Sequence, residues 1–342
     1  MNKLFRMFKS DPRVSGGDYS GFLLSSIIVI IALAVVGYLV QSAVLFDIIQ
    51  QVLIFSTMAL AYDYFSGHTG YYNLGFGAFV SLGAYGFTFA SGAGLALPLS
   101  MLLAAIVASI FAFLMSYPFL RLKGAYFAIG SLSLLLLLHI IFANFYQYTG
   151  GTAGIILPYP RKQLQTLLFF SSLIVLVSAM YLHYVIRRSL FGLALRSIKE
   201  EEQVAESLGV NAFRMKQIAL VLSAFMGGLS GGFFALYLGF ISVDVVMGLG
   251  VGLFPVVAAL TGGSGIFLGP LVGAFILVFA NLNLPSLMYS LAPKLTSGPL
   301  VVTGFLLIII GLFMPGGVLR ISYLRKYSHI QLDRKIVRTF KR

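Results

Sequence analysis

The chain has 342 residues, of which 59% are hydrophobic and 10% are charged, and its formal net charge is +13. A soluble domain of this size could not bury so much apolar surface, and the absence of cysteine excludes disulfides and thiolate metal sites. We therefore predict an all-α polytopic membrane protein, because helices satisfy their own backbone hydrogen bonds inside a bilayer.

Ten stretches are long and apolar enough to cross a bilayer as helices, which takes roughly 20 apolar residues each. In chain order they are 22–40, 46–65, 72–90, 97–117, 125–145, 167–186, 217–238, 245–261, 266–284 and 300–314. We therefore predict about ten transmembrane helices. As an alternative, the two stretches on either side of Thr261 could form a re-entrant pair.

The basic residues are distributed unevenly among the connecting segments. Twenty of the 23 fall before the first stretch, at 121–123, within 187–216 or after residue 314. With ten crossings all twenty lie on one side of the membrane, as expected of cytoplasmic segments. We therefore predict cytoplasmic segments at 1–21 and 315–342 around a membrane domain at 22–314. The basic tail is expected to contact anionic membrane lipids, and this distribution argues against nucleic acid as a partner.

Motifs of nucleotide-binding or hydrolytic enzymes are missing from the sequence. There is no G-x-x-x-x-G-K-[ST] loop, no H-E-x-x-H and no G-x-S-x-G. We therefore predict no catalytic residues, no cofactor and no ATP binding by this chain. The four histidines, His68, His139, His183 and His329, are far apart in sequence and are assigned to different membrane depths, so no metal site is predicted.

The carboxylates bear on how transport would be driven. A carrier driven by protons or sodium usually has carboxylates inside its membrane spans. Asp63 is predicted near the cytoplasmic end of the second stretch, and Asp47 and Asp244 near outer ends, so none is expected at mid-membrane. This pattern favours a passage driven by another protein. A self-sufficient carrier remains the alternative.

The cytoplasmic loop at 187–216 contains a candidate docking helix. Its sequence KEEEQVAESL predicts a short helix that ends at Gly209, with Asn211 capping the next helix. Val204 and Leu208, with the alanine between them, give this helix a small apolar face among glutamates. Such a face fits the groove of a soluble partner, although an ordinary solvated helix is the alternative.

The sequence at 191–211, FGLALRSIKEEEQVAESLGVN, resembles the cytoplasmic loop of branched-chain amino-acid ABC transporter permeases, in particular the larger of their two permease types. Other segments match in the same order over about 65–318. They are GFGAFVSLGAY at 75–85, RLKGAYFAI at 121–129, TGGTAGI at 149–155, YLGFIS at 237–242, TGGSG at 261–265 and FMPGGV at 313–318. Urea and short-amide permeases share nearly all these motifs, and sugar and nucleoside permeases share the general pattern.

The resemblance implies a complex in a prokaryotic cell membrane. Its other members would be two cytoplasmic ABC ATPase subunits, an extracytoplasmic solute-binding protein, and a second related permease subunit or a second copy of this chain. This chain would form the pathway for branched-chain amino acids and would not be an enzyme. The ATPase-coupling residues implied by the loop motif are Glu202, Ala205, Glu206, Leu208 and Gly209.

Polar side chains within the predicted spans are candidates for the lining of a translocation pathway. Helical spacing puts Tyr126, Ser133 and Asn144 near one face, and an imidazole such as His139 is rare inside a span. Hydrogen bonding between helices is the alternative role for each of them. The full candidate set is Asn73, Tyr126, Ser131, Ser133, His139 and Asn144.

Glycine and proline patterns predict how the spans pack. Glycines at four-residue spacing allow helices to approach closely in lipid, and Pro255 is predicted to break a short, glycine-rich span beside the pathway. The glycines concerned are Gly227 with Gly231, Gly228 with Gly232, and Gly265, Gly269 and Gly273.

Overall fold

The computed structural model describes residues 43–159, 161–291 and 317–319, together with the single positions 24, 27, 28, 31 and 35. Apart from these positions, the first and tenth predicted stretches and both predicted terminal segments lie outside the described residues.

The described part of the chain is mostly helical. Its elements are α1 Ala43–Thr69, α2 Phe76–Gly92, α3 Leu97–Phe119, α4 Ala125–Asn144, α5 Tyr146–Thr149, β1 Ile155–Ile156, α6 Arg161–Arg188, α7 Leu190–Glu200, α8 Glu202–Ser207, α9 Ala212–Leu238, β2 Phe240–Ile241, α10 Val243–Val246, α11 Leu249–Gly262 and α12 Gly269–Leu291.

Six stretches within the described residues are helical, long and apolar enough to cross a membrane. They are Leu45–Thr69, Leu97–Phe119, Ala125–Asn144, Leu164–Arg188, Ala212–Leu238 and Val243–Gly262, and Gly269–Leu282 is a shorter apolar helix. The structure therefore supports a polytopic membrane protein built from helices, as the sequence predicts.

The helix α9 lies at the centre of the bundle and packs against α1, α2 and α3. Its glycines allow this close approach. A Cβ atom on Gly231 would overlap the carbonyl oxygen of Val80 in α2, and one on Gly228 would overlap Ala104 and Ala108 in α3. The prediction that these glycines serve helix packing is confirmed at α9.

Two details of the predicted spans are wrong. Pro255 lies inside α11 without interrupting it, because a helix in a bundle tolerates one lost backbone hydrogen bond when its neighbours support it. The chain is interrupted earlier, at Met247 and Gly248 between α10 and α11. Gly265 belongs to the loop before α12 and has a φ of +80°. That left-handed conformation favours glycine and does not continue a helix.

A short antiparallel pairing joins two segments on the side of the bundle opposite α7 and α8. Ile155 pairs with Ile241 and Ile156 with Phe240, which ties the chain after α5 to the end of α9. The side chain of Ser242 then accepts a hydrogen bond from the backbone N–H of Val245 and caps α10. This pairing fixes the position of α10 beside α4.

Candidate coupling segment and pathway face

The segment 190–208, called the coupling segment below, forms two helices where the sequence predicts one helix at 199–208. The first, α7, is capped by Ser189, whose hydroxyl accepts a hydrogen bond from the N–H of Gly192 at 3.1 Å. It ends at Glu201, whose extended backbone separates it from α8. Lys199 and Glu200 therefore belong to α7, and the predicted single helix is wrong.

The end of the coupling segment follows the sequence prediction closely. Gly209 has a φ of +88°, a conformation that favours glycine and ends the helical turn. Asn211 then caps α9, because its side-chain oxygen accepts a hydrogen bond from the N–H of Arg214 at 3.0 Å. Both boundaries were predicted from the residue types alone.

The apolar residues of α8 divide between the interior and the surface. Ala205 is buried and packs with Ile198 and Ala212. Val204 and Leu208 are 54% and 78% exposed. An exposed pair of aliphatic side chains is therefore presented outward by a helix that is anchored underneath.

Glu202 provides the main polar anchor of α8. Its carboxylate accepts a hydrogen bond from the Tyr71 hydroxyl at 2.6 Å and another from the Lys216 ammonium at 2.7 Å. Lys216 is only 2% exposed, and its ammonium lies 4.6 Å from the centre of the Tyr71 ring. Glu202 thus points into the protein and fixes α8 to α9 and to the connection between α1 and α2.

The ionisation of this cluster depends on the same contacts. Burial alone would raise the pKa of Glu202, but the hydrogen bonds from Lys216 and Tyr71 and the charge of Lys216 outweigh burial and lower the pKa. A carboxylate whose pKa is lowered on folding stabilises the folded protein at pH values above its ordinary pKa, here 4.5. This stabilisation is lost as the pH falls through the folded-state pKa. The anchor is therefore intact at neutral pH.

Replacement of Lys216 by methionine is expected to destabilise the protein by about 1–3 kcal/mol, since it removes one partner of a partly buried carboxylate. The melting temperature in detergent, followed by gel filtration after heating, measures this loss. Arg214→Met is the matched control, because it removes the same charge from an exposed position of the same helix. Equal melting temperatures for the two variants would contradict the anchoring role of Glu202.

Three of the candidate pathway residues share one exposed face of α4. Tyr126 is 75% exposed, and Ser133 and Asn144 are also exposed. The Ser133 hydroxyl donates to the carbonyl of Ile129 at 3.0 Å, and the Asn144 amide donates to that of Ile140 at 2.8 Å. Both bonds lie within α4, so these two contacts do not join helices. The three residues lie at helical spacing along the exposed surface of α4, as the sequence predicts.

Asn73 does not join that face. It is buried in the connection between α1 and α2, where its backbone N–H donates to the Ser66 hydroxyl at 3.3 Å. Nearby, the buried hydroxyl of Ser131 accepts a hydrogen bond from the N–H of Gly75 at 3.3 Å and holds the start of α2 against α4. Ser131, another of the candidates, therefore makes a contact between helices, which is the alternative role given for it above.

His139 pairs with Asp244, a residue that the sequence did not assign to the pathway. The imidazole Nε2 lies 3.1 Å from the carboxylate Oδ1, and the two side chains are 32% and 57% exposed. His139 is five residues before the end of α4. Asp244 is the second residue of the apolar stretch Val243–Gly262, so it lies at the end of a candidate span, as the sequence predicts.

A cavity of about 560 Å³ opens at the other end of α4. The connection between α1 and α2, the start of α4 and the α7–α8 turn enclose it. The residues that line it include Tyr71, Tyr72, Gly124, Ala128, Lys199 and Glu202. The exposed face of α4 thus has an acid–imidazole pair towards one end and a cavity at the other.

Two histidines that the sequence assigned to different depths lie together. The rings of His68 and His183 are 5.1 Å apart, and both side chains are buried. Their separation in sequence concealed this, because α1 and α6 pack side by side. Within the described residues no group of three or more His, Asp or Glu residues could hold a metal ion.

Residues 44–311 match the family described as "Branched-chain amino acid transport system / permease component". The chain belongs to this family. It is therefore a multi-pass transport protein of the prokaryotic cell membrane, as its apolar helices also indicate.

Curated relatives of this permease family member include two called "High-affinity branched-chain amino acid transport system permease protein LivM". The protein from Salmonella typhimurium is 26% identical over 68% of this chain and 61% of its own length, and the one from Escherichia coli is 25% identical over 79% and 70%. A guanosine ABC transporter permease protein, NupQ from Bacillus subtilis, is 30% identical over 20% of this chain and 21% of its own length. No solved structure matches.

Proposed function

We propose that this chain is the permease subunit of an ATP-binding-cassette importer and forms the pathway for branched-chain amino acids that a solute-binding protein delivers. The observation that carries this proposal is the match of residues 44–311 to the permease family of branched-chain amino-acid transport. The proposed partners are two cytoplasmic ATPases, a second related permease or a second copy of this chain, and the binding protein.

The proposed topology has ten crossings, with a cytoplasmic segment at 1–21, a membrane domain at 22–314 and a cytoplasmic tail at 315–342. The ends of α1 and α6 and the loop after α11 lie beside the coupling segment. All of these belong on the cytoplasmic side in the alternation predicted from the basic residues. This agreement between contacts and charge supports the proposed topology.

The exposed part of α8 is the proposed docking surface for an ATPase subunit. Val204 and Leu208 present aliphatic side chains, and Glu206 stands exposed between them in sequence. Ala205 beneath them and Gly209 after them keep the helix short and close to the bundle. A partner groove that is apolar with a basic rim would complement this surface.

The proposed pathway follows the exposed face of α4. His139 lies five residues inside the end of α4, and a polar pair at such a position is costly next to lipid, so the exposure of His139 and Asp244 argues for a water-filled or protein-filled space in front of them. Tyr126, Ser133 and Asn144 extend the polar face, and the cavity at the cytoplasmic end of α4 would be its exit. His139 and Asp244 would lie towards its entrance.

The substrate class is supported by the LivM relatives, which match over most of this chain. Nucleoside transport is the second candidate, because two nucleoside permeases from Bacillus subtilis and Lactococcus lactis match about a fifth of the chain. Urea and short amides are a third candidate, which the sequence motifs alone do not separate from the first.

Uptake measurements can separate these substrates. Proteoliposomes that contain the full complex and enclosed ATP would be supplied with the binding protein loaded with radiolabelled leucine, guanosine or urea. We expect uptake of leucine, and uptake of guanosine or urea without uptake of leucine would overturn the substrate proposal. Complexes with ADP in place of ATP provide the control for passive leakage.

A further inference from the structure

Asp63 lies where the coupling segment meets the loop between α11 and α12. Its side chain is completely buried about 9 Å before the end of α1. The carboxylate accepts hydrogen bonds from the Ser264 hydroxyl at 2.7 Å and from the N–H of Gly265 at 2.9 Å. It therefore fixes the loop 263–268 to α1.

The coupling segment and the residues just before it contact the same place. The ammonium of Lys199, in α7, donates to the carbonyl of Gly67 at 2.8 Å, one turn after Asp63. The guanidinium of Arg187, at the end of α6, donates to the carbonyl of Gly265 at 3.2 Å. Two contacts from the coupling region thus reach the turn of α1 and the loop that Asp63 joins.

Two glycines allow the backbone of α1 and the backbone of the loop to approach each other closely at this point. A Cβ atom on Gly67 would overlap the Asp63 carboxylate, and one on Gly265 would lie 3.0 Å from the carbonyl oxygen of Gly67. Backbone from α1 and backbone from the loop therefore meet without an intervening side chain. A displacement of either one is transmitted to the other through hard contacts.

A second partner for Asp63 lies next to it. His183 is completely buried, and its Nε2 is 3.9 Å from the other carboxylate oxygen, which is too far for a hydrogen bond. Neither ring nitrogen of His183 has a hydrogen-bond partner within the described residues. Burial of an unbonded imidazole is costly, so a shift of about 1 Å that lets it bond Asp63 would offset the loss of a loop contact.

We propose that Asp63 is the positioning residue through which movement of the coupling segment reaches the loop between α11 and α12, and that it exchanges Ser264 for His183 when that loop moves. The inference rests on the proposed function, because the movement comes from an ATPase bound at α8. It assigns a buried carboxylate to coupling, whereas the exposed residues of α8 serve docking.

The test measures solute molecules imported per ATP hydrolysed by the reconstituted complex. Asp63→Asn replaces an acceptor oxygen by an amide group that donates, next to the Ser264 hydroxyl and the Gly265 N–H, which also donate. We expect the number of solute molecules imported per ATP to fall about fivefold or more while ATP hydrolysis continues. His183→Phe, which removes the second partner, is expected to lower the ratio as well. Thr57→Val is the matched control, because that buried hydroxyl of α1 donates to Leu53 within its own helix at 2.8 Å.

A wild-type ratio in an assembled Asp63→Asn complex would overturn the inference. If that variant does not assemble, the ratio in Ser264→Ala decides in the same way, since this change removes only one donor to Asp63. A protein with a merely structural fault would lose transport and ATP hydrolysis together. Failure of the wild-type complex to import solute with ATP would instead count against the proposed function.

Discussion

Replacement of both Glu206 and Leu208 by alanine is expected to abolish ATP-driven uptake while the permease stays folded in the membrane. Leu208 is 78% exposed and Glu206 is exposed, so neither change creates a cavity. Truncation of a central contact residue typically costs about 2 kcal/mol or more of binding energy, which is roughly 30-fold in affinity. The ATPase would then bind too weakly to drive the transport cycle.

Two measurements separate loss of docking from loss of folding. Uptake and retention of the ATPase on the purified permease should both fall, and the melting temperature of the permease should not change. Ser207→Ala is the control within α8, because its hydroxyl only closes the local turn with the carbonyl of Val204 at 2.8 Å. Normal uptake by the double variant would remove α8 from the proposed mechanism.

Replacement of Gly231 by valine is expected to prevent stable folding. The first added carbon would overlap the Val80 carbonyl and lie 3.1 Å from the backbone nitrogen of Ala84. Both obstacles are backbone atoms of α2, so the helices would have to separate. Overpacking of this kind costs about 3 kcal/mol or more, which is a large share of the stability of most proteins.

Gly250→Val provides the matched control for this effect. Gly250 is also helical, but a Cβ atom there would meet nothing within 4 Å in the structure. The yield of monodisperse protein after gel filtration should be close to wild type for Gly250→Val and very low for Gly231→Val. Equal yields would show that α9 and α2 are not packed as described.

Structural features could be predicted from the sequence where one physical rule dominates. Length and hydropathy located the spans seen in the described residues, because the bilayer tolerates few alternatives to a helix. Gly209 and Asn211 marked the end of α8 and the start of α9, because left-handed turns and helix caps have strong residue preferences. The spacing of Tyr126, Ser133 and Asn144 correctly predicted a shared face.

Features that depend on partners distant in sequence could not be predicted. Glu202 looks like its glutamate neighbours, and only the fold brings Tyr71 and Lys216 to it. The contact of Asp244 with His139 was not predicted, because it depends on the β1–β2 pairing that sets α10 beside α4. A helix break such as the one at Glu201 has no strong residue signal, because glutamate is a good helix former.

The dependence of transport on a separate ATPase is the central claim of this account. The most direct measurement is leucine flux into proteoliposomes that contain this permease, its permease partner and the loaded binding protein, with and without the ATPase subunits and enclosed ATP. We expect flux only when the ATPase and ATP are both present. Comparable flux through the permeases alone, under a proton or sodium gradient, would contradict the account.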